Sequence, residues 1–146
     1  MAEEFVIKIL SASDLPLLMN VTEDIFDNPI DEKSAHEFLA DPRHHIVVAL
    51  SDNVIIGFAS AVHYVHPDKP AELWINEVGV AQVYQNKGVG KAIMKKLLQL
   101  GQSLRCANAW VLTDRSNIPA NRLYKSAGGE AASDDTVMYE FDLTGE

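Results

Sequence analysis

The chain has few of the features that tie a protein to a membrane or to the secretory pathway. Its only cysteine is Cys106, so no internal disulfide can form and a reducing compartment is expected. No apolar run approaches the ~20 residues that a membrane span needs. Residues 1–4 include two glutamates and no base, so the basic region of a signal peptide is missing there. We therefore expect a cytoplasmic protein that does not associate with membranes.

Positive charge is also scarce. The chain has 12 Lys and Arg against 21 Asp and Glu, a net charge of −9. Nucleic acid is a poor partner for such a surface, and a cationic small molecule is a better one. Between positions 20 and 41 the acidic residues face the single base Lys33, which fits either solvated helix faces or an electrostatic funnel for an amine substrate. These acidic residues are Glu23, Asp24, Asp27, Asp31, Glu32, Glu37 and Asp41.

Several familiar nucleotide and catalytic motifs are missing. No Gly-x-Ser-x-Gly elbow supports a serine hydrolase. A P-loop needs four residues between its glycines and then Lys-Ser/Thr, whereas Gly88 and Gly90 are one residue apart and Ala92 follows Lys91. A dinucleotide fingerprint needs a third small residue where Ile93 stands. Neither a nucleoside triphosphate nor NAD is therefore expected.

The composition is that of an ordinary globular domain, with 47% hydrophobic and 23% charged residues in 146. We expect one domain over residues 1–146 and a mixed α/β (α+β) chain. Consecutive strands in its middle favour antiparallel hairpins. Strands are predicted at 5–10, 45–50, 54–65, 72–80, 109–113 and 137–143. Helices are predicted from 13 or 14 to about 26, over 31–40, from the glycine pair to about 104, and around Tyr124 with a stop at Gly128.

The most informative segment joins the strand that ends at Val80 to the helix that begins at the glycine pair. Gly88 and Gly90 leave the first helical turn without side-chain bulk, so a ligand can approach the backbone. The unpaired N–H groups of that turn carry the positive end of the helix dipole. Together with Lys87 and Lys91, they form a site suited to a pyrophosphate.

The pattern Gln85-x-x-Gly88-x-Gly90 after a strand resembles the acetyl-coenzyme A motif of the GNAT superfamily of N-acetyltransferases, usually Arg/Gln-x-x-Gly-x-Gly/Ala. Residues 117–129 look like the later motif of that superfamily, Asn-x-x-Ala-x-x-Leu-Tyr-x-x-x-Gly-Phe, with Gly129 in place of the aromatic residue. The two segments lie in the right order, separated by a helix and a strand. Their combination favours the superfamily over a glycine pair that serves packing alone.

The resemblance covers roughly residues 45 to 143. Within the superfamily, residues 64–92 look most like the aminoglycoside 3-N-acetyltransferase branch. The chain departs from that branch at Asn76, where an aromatic residue is usual.

The resemblance implies a twisted, mostly antiparallel sheet of six to seven strands that splays apart around the cofactor, with about four helices. It also implies acetyl-CoA as the cofactor, with the pantetheine arm bonded to main chain near Val78 to Val80. The implied cofactor-binding residues are Val78, Gly79, Val80, Gln85, Asn86, Lys87, Gly88, Val89, Gly90, Lys91, Asn117, Asn121 and Tyr124. Capping of its own helix is an equally good reading of Asn117.

Two side chains are candidates for catalysis. The motif places Tyr124 where a phenol, protonated at neutral pH, can donate to the leaving thiolate; the alternative is an aromatic residue of the core. Glu77 interrupts an apolar strand, where a carboxylate is costly unless solvated or hydrogen-bonded, so it is the candidate base. A structural carboxylate is the alternative. Alternation puts Asn76 and Glu77 on opposite faces unless a bulge intervenes.

We therefore expect an acetyl-CoA-dependent N-acetyltransferase that acts on a primary amine of a small cationic acceptor by direct attack in a ternary complex. The resemblance assigns the oxyanion contact to the backbone N–H of Val78 or Val80. A non-catalytic acyl-CoA-binding module or sensor is the alternative. A homodimer is possible because many relatives pair through strand edges. No metal is expected, since the spacing of His63 and His66 splits their rings across a strand.

Overall fold

The computed structural model describes residues 4–133 and 135–145, and its centre is a five-stranded sheet in the order β1-β2-β3-β4-β5. The first four strands pair antiparallel, and β5 pairs parallel to β4. The strands are β1 Val6–Ile9, β2 His44–Ser51, β3 Val54–Tyr64, β4 Glu72–Val80 and β5 Asn108–Val111. The mostly antiparallel α/β architecture predicted from the sequence is therefore confirmed.

Four α-helices flank this sheet in the described part of the chain. They are α1 Leu15–Leu18, α2 Glu32–Ala40, α3 Val89–Ser103 and α4 Ile118–Ser126, with 3-10 turns at Ala12–Asp14 and Gln82–Tyr84. None of these helices has the length and apolarity that crossing a bilayer requires.

Alternation along the strands produces two cores, one on each face of the sheet. On β2, Val47 and Ala49 point toward α3, while Ile46 and Val48 point toward α1, α2 and the segment between them. The α3 core also holds the α4 residues Leu123 and Tyr124 at its edge. The sheet therefore separates a core packed on α3 and α4 from a core packed on α1 and α2.

The longest helix follows from its apolar spacing. In α3 the side chains at Val89, Ile93 and Leu97 recur every four residues and are all buried against the sheet. The helix begins after Gly88, which has a φ of 83°, and the chain leaves it through Arg105 at a φ of 62°. These bounds agree with the predicted helix from the glycine pair to about 104.

The sheet splays beside α3. β4 pairs with β5 only over Glu72 to Ile75, so residues 76–80 have no β5 partner and a gap opens there. On its other edge β4 pairs with β3 as far as Val80. This opening corresponds to the splay that the family resemblance implies.

A β-bulge interrupts the β3–β4 pairing. Ser60 lies opposite Glu77 and Ala61 lies opposite Ile75, which makes Asn76 the extra residue of β4. The simple alternation of Asn76 and Glu77 therefore does not hold. Because of the bulge, Glu77 lies on the same face as Ser60, the face that α1 and α2 cover.

The predicted number of six to seven strands is wrong for the described residues, since the sheet has five. The predicted strand at 137–143 has no ladder partner, and its large side chains are exposed. An alternating pattern specifies an extended backbone with one apolar side, but it does not supply the neighbouring strand that a ladder needs.

The first predicted helix is also too long. It ends at Leu18 instead of continuing to about 26. Val21 forms a parallel bridge with Ile55, and the Thr22 N–H donates to Ile55 O. A left-handed backbone at Asp24, with a φ of 70°, then turns the chain. Tertiary pairing here overrides a helical pattern of apolar residues.

Candidate active site

The first turn of α3 is an open cradle of backbone amides. No side chain caps this helix, and the Ala92 N–H closes its first bond, to Gly88 O at 3.0 Å. The N–H groups of residues 89–91 therefore have no acceptor within the helix. A Cβ built on Gly88 would meet no atom within 4 Å, so the space beside the turn is free. A diphosphate fits such an uncapped, electropositive helix start.

The second glycine of the pair has a different role. A Cβ on Gly90 would lie 3.2 Å from both methyl groups of Leu123 and 3.7 Å from Val80 Cγ2. Gly90 thus allows α4 to pack closely against the start of α3 and the end of β4. The sequence left open whether the pair serves a ligand or packing. The structure shows close packing at Gly90 and open space at Gly88, where ligand binding stays a prediction.

The loop before α3 is tied to the end of β4. The Gln85 side-chain amide donates to Val80 O at 3.0 Å, and Asn86 adopts a left-handed φ of 61°. The Lys87 ammonium lies 5.8 Å from the centre of the Tyr84 ring. On the far side of the helix start, Lys91 lines a groove between α3 and the end of α4. The predicted cofactor residues of this loop therefore surround the uncapped turn.

The main chain of β4 presents hydrogen-bonding groups to the gap. The Ala81 N–H donates to Ile56 O at 2.8 Å, toward β3. Because successive residues of a strand direct their N–H and C=O groups to opposite edges, those of Val78 and Val80 face the gap. The bond from Gln85 to Val80 O agrees with this direction. The N–H groups of Val78 and Val80 remain available there to a ligand.

Gly79, between these two valines, fixes the segment that borders the site. A Cβ at this position would lie 2.6 Å from Ile25 O and 3.0 Å from Phe58 Cε1. Only glycine lets the segment between α1 and α2 lie directly on β4. That segment carries Asp27 to the neighbourhood of Glu77.

Tyr124 lies at the gap from the side of α3 and α4. Its ring is partly buried against the same core that contacts Val78 and Val80, and burial raises the pKa of its phenol above 10. Burial is the only cause of this shift. The phenol is therefore protonated at neutral pH and able to donate a hydrogen bond.

Glu77 lies on the opposite face of the sheet, the face that α1 and α2 cover. Partial burial raises the pKa of its carboxyl group, and the negative charge of Asp27 raises it further. Both causes disfavour the charged form. The structure thus brings the predicted cofactor residues together around α3 and places Glu77 across the sheet from Tyr124.

The two predicted asparagines hold the loop before α4. Asn117 Oδ1 accepts from the Ala120 N–H at 3.2 Å, which is helix capping. Asn121 Nδ2 donates to Asn117 O at 2.7 Å and to Asp114 O at 3.0 Å. These bonds position the helix that carries Tyr124. Contact with the cofactor through the remaining amide atoms stays a prediction.

Sequence reasoning missed an aromatic cluster on the face of the sheet that carries Glu77. The rings of Trp74 and Trp110 stack with centroids 5.1 Å apart, and the Trp110 indole N–H donates to Tyr64 Oη at 3.0 Å. Val62 lies opposite Trp74 on β3, so this cluster shares the face of Glu77. Each tryptophan stands between apolar strand residues, which predicts a strand; only the parallel register of β4 and β5 brings them into contact.

A splayed sheet with an uncapped helix start beside the splay is the arrangement expected of an acyltransferase that uses an acyl-coenzyme A donor. A family model described as "Acetyltransferase (GNAT) family" matches residues 15–128. The chain belongs to this family: it is an N-acetyltransferase that uses acetyl-CoA. The alternative of a non-catalytic binding module is set aside.

The names of individual relatives refer to several different acceptors. The chain is 26% identical to N-alpha-acetyltransferase RimI of Mycobacterium tuberculosis over 128 residues, 86% of this chain and 78% of that protein. It is 31% identical over 78 residues to spermine/spermidine N(1)-acetyltransferase of Bacillus subtilis, 51% of each chain. The crystal structure of an aminoglycoside acetyltransferase, meta-AAC0020, in complex with sisomicin, from an uncultured soil metagenomic sample, superposes with a TM-score of 0.82 at 19% identity, covering 95% of this chain and 96% of that one.

Proposed function

We propose that the enzyme acetylates a primary amine of a small cationic acceptor by direct attack on acetyl-CoA in a ternary complex, as a single domain working in the cytoplasm. The observation that carries the proposal is the gap beside β4, which has the uncapped start of α3 at one end, Tyr124 on one side and Glu77 on the other. Donor and acceptor can then approach from different faces of the sheet.

The contacts proposed for acetyl-CoA, the acetyl donor, follow from the backbone amides at the start of α3. The N–H groups of residues 88–91 bind its diphosphate, with Lys87 and Lys91 beside them, and the main chain of residues 78–80 pairs with its pantetheine arm. When bound, acetyl-CoA supplies an acetyl group activated as a thioester. Gln85 holds the end of β4 in place by its bond to Val80 O. The free N–H of Val78 or Val80 stabilises negative charge on the acetyl oxygen.

Two side chains then handle the protons. Glu77 accepts a proton from the acceptor ammonium, directly or through a water, because an ammonium has no lone pair for attack. Its raised pKa makes it a stronger base than a glutamate with an ordinary pKa. Tyr124 donates a proton or a hydrogen bond to the leaving sulfur, and its own raised pKa keeps the phenol protonated. The two groups work from opposite faces.

The charge of the acceptor face supports a cationic substrate. Asp27 and Glu77 lie together at the gap, and the stacked Trp74 and Trp110 provide ring faces that attract cations. Spermine and spermidine, which the name of one relative gives as substrates, and the sisomicin bound to the structural neighbour are polycations. An aminoglycoside of the kind modified by the 3-N-acetyltransferase branch is the first candidate, and a polyamine is the second.

Release of free thiol from acetyl-CoA would test the proposal across matched acceptors. The panel contains spermine, sisomicin, a peptide with an N-terminal alanine, and a neutral amino acid. We expect the highest kcat/KM with a polycation and a large loss of this activity in Glu77→Gln. Faster transfer to the peptide or the amino acid than to either polycation would contradict a cationic small acceptor.

A further inference from the structure

An aromatic patch formed by Tyr64, Trp74 and Trp110 lies on the face of the sheet that carries Glu77. On this face α1 packs on β3 and α2 packs on β2, whereas Trp74 on β4 is 39% exposed. The stacked Trp74 and Trp110 are the only two tryptophans of the chain. An exposed aromatic surface with polar groups around it is typical of a ligand-binding groove.

Two carboxylates stand at opposite ends of this patch. Glu77 lies opposite Ser60 on β3, and Glu72 lies opposite Tyr64. Ser60 and Tyr64 are four residues apart on β3, which pairs regularly with β2 over this stretch, so both side chains lie on one face and ~13 Å apart. Trp74 lies between the two glutamates on β4, and the patch therefore has a negative group at each end.

Glu72 is held in place by a histidine. His66 Nε2 lies 2.6 Å from Glu72 Oε2. Because an ionised carboxylate can only accept, the histidine nitrogen supplies the proton of this bond. The bond from His66 is the main reason why the pKa of Glu72 is below its usual value, and the Asn108 side chain adds to the effect. The Glu72 carboxylate is therefore charged at neutral pH.

The Glu72 carboxylate keeps the capacity to bind a further cation. A carboxylate offers about four lone-pair sites, and the Glu72 side chain is 20% exposed. Lys69, whose charge also lowers the pKa of Glu72, forms its ion pair with Asp68, at 3.3 Å. An ammonium group from outside can therefore reach Glu72.

Contacts within the patch fix the rings relative to Glu72. The Trp110 indole N–H donates to Tyr64 Oη at 3.0 Å, and the Tyr64 ring meets the His66 ring edge-on with centroids 5.1 Å apart. The planes of Trp74 and Trp110 differ by 10°. A surface whose side chains hold one another in this way is organised before a ligand arrives.

The chemistry of this surface matches an elongated polycation. Indole faces attract ammonium groups and also pack against the carbon chain between them. A carboxylate at each end of the patch supplies a charge-assisted hydrogen bond for one ammonium group. A ligand with two ammonium groups separated by a carbon framework would thus satisfy the patch and both glutamates at once.

We propose that Glu72 is a specificity-determining residue, which binds a second ammonium group of the acceptor at the end of the aromatic patch that is remote from Glu77. The inference rests on the proposed acetylation of a cationic acceptor and adds a spacing of ~13 Å between the reacting amine and the remote charge. A long polyamine meets this requirement, whereas a short diamine reaches Glu77 alone.

Acetylation of linear diamines of increasing length, from putrescine to diaminododecane, tests the spacing. We expect kcat/KM to rise by ~10-fold or more once the spacer is long enough to join the two glutamates, since a hydrogen bond to a charged group contributes at least that much. Decylamine, a monoamine, controls for the apolar chain of diaminodecane. Equal kcat/KM for decylamine and diaminodecane would overturn the proposal.

Binding can be followed separately from acetyl transfer. Both tryptophans of the chain belong to the patch, so the tryptophan emission of the full chain, saturated with coenzyme A, reports on this surface. Long diamines should change the emission at lower concentration than putrescine does. Length-dependent binding without any acetyl transfer would refute the proposed function and leave the Glu72 subsite standing. Transfer to long diamines with no change in emission would refute the subsite alone.

Substitutions at Glu72 provide the matched comparison. Glu72→Gln removes the charge but keeps an oxygen that can accept from His66, so the long diamine should lose its ~10-fold advantage while putrescine changes by less than ~2-fold. Glu72→Asp keeps the charge and should retain part of the advantage. Asp68→Asn removes the same charge from the neighbouring exposed loop and should leave the length dependence intact. A full preference for long diamines in Glu72→Gln, or its loss in Asp68→Asn as well, would refute the role of Glu72.

Discussion

At the scale of single residues, the site combines a carboxylate and a phenol whose environments move both pKa values upward. Burial acts on both groups, and Asp27 adds a charge effect at Glu77. For the carboxylate the shift strengthens the base, and for the phenol it preserves the proton to be donated. The assigned roles therefore agree with the electrostatics of each position.

Replacing Tyr124 by phenylalanine removes only the proton donor. We expect kcat to fall by ~10²-fold while KM for acetyl-CoA changes little, because the ring still packs in the core. Steady-state kinetics with acetyl-CoA and the best polycation measures both constants. Unchanged turnover would remove Tyr124 from the chemistry.

The pH profile tests Glu77. As a base it must be deprotonated, so kcat/KM should fall as pH drops through its raised pKa, and Glu77→Gln should lose that acidic limb together with ~10²-fold or more of the rate. Asp27→Asn removes one cause of the raised pKa and should move the limb to lower pH. Asp24→Asn, a nearby acid with no such effect on Glu77, is the control. An acidic limb that persists in Glu77→Gln would assign the base elsewhere.

Residue types and spacing predicted part of this site. Tyr124 and the glycine pair stand in motifs, and Glu77 stands out as a charge within an apolar strand. Asp27 and the Trp74–Trp110 stack gave no such signal, because their proximity depends on a loop that crosses β4 and on the register of a parallel pair. Spacing along the chain does not encode either contact.

At the scale of elements, β4 organises the whole site. Its bulge at Asn76 turns Glu77 to the acceptor face, its unpaired edge beyond Ile75 faces the gap, and Gly79 supports the segment that carries Asp27. The strand itself was predictable from its apolar run. The bulge was left open by the sequence, since one extra residue does not disturb the overall pattern.

The contact at Gly79 predicts a selective defect. In Gly79→Ala the new Cβ would lie 2.6 Å from the backbone oxygen of Ile25, which cannot rotate away. We expect a loss of ~1–3 kcal/mol in the free energy of unfolding, or a Tm lowered by ~2–4 °C per kcal/mol. Displacement of Asp27 should also lower kcat/KM for a polycation.

Gly57→Ala is the comparison for this defect. Its Cβ would meet the Ile93 and Val89 side chains at 3.1 and 3.2 Å and the backbone oxygen of Gly79 at 3.3 Å, all less close than the 2.6 Å contact of Gly79→Ala. Thermal unfolding should therefore show a smaller loss for Gly57→Ala than for Gly79→Ala. Equal stability of Gly79→Ala and the parent chain would contradict the close contact with the segment between α1 and α2.

The helices show which boundaries can be predicted from the local sequence pattern alone. α3 was predicted almost to the residue because its apolar face, glycine start and left-handed exit are all local. The first helix was predicted too long because the chain after it is held by a bridge between Val21 and Ile55, two residues that are far apart in the sequence. The strand at 137–143 was predicted from alternation but has no ladder partner among the described residues, because alternation does not supply a neighbouring strand.

At the scale of the whole molecule, charge is divided between two regions. Eight of the 12 basic residues lie within residues 84–128, the part of the chain that contains the proposed diphosphate site, while acidic residues dominate residues 20–41, the part that contains Asp27. An anionic donor and a cationic acceptor are thus attracted to different parts of one surface. This division agrees with approach from opposite sides of the sheet.

The dependence of kcat/KM on ionic strength should show whether the acidic residues of segment 20–41 attract a cationic acceptor. We expect kcat/KM for spermine to fall by ~10-fold between 20 and 300 mM salt, since the Debye length shortens across that range. A small monoamine should lose much less. Parallel initial-rate measurements at saturating acetyl-CoA give both slopes, and equal slopes would show that the acidic residues of segment 20–41 only solvate the surface.

The central claim is that backbone amides at the start of α3 bind the diphosphate of coenzyme A. Amide chemical shifts of the ¹⁵N-labelled protein test it most directly when coenzyme A is compared with pantetheine, which lacks the diphosphate. We predict that coenzyme A shifts the amides of residues 88–91 and 78–80, whereas pantetheine shifts only those of residues 78–80. Binding of coenzyme A that leaves the amides of Gly88 and its three successors unmoved would contradict the account.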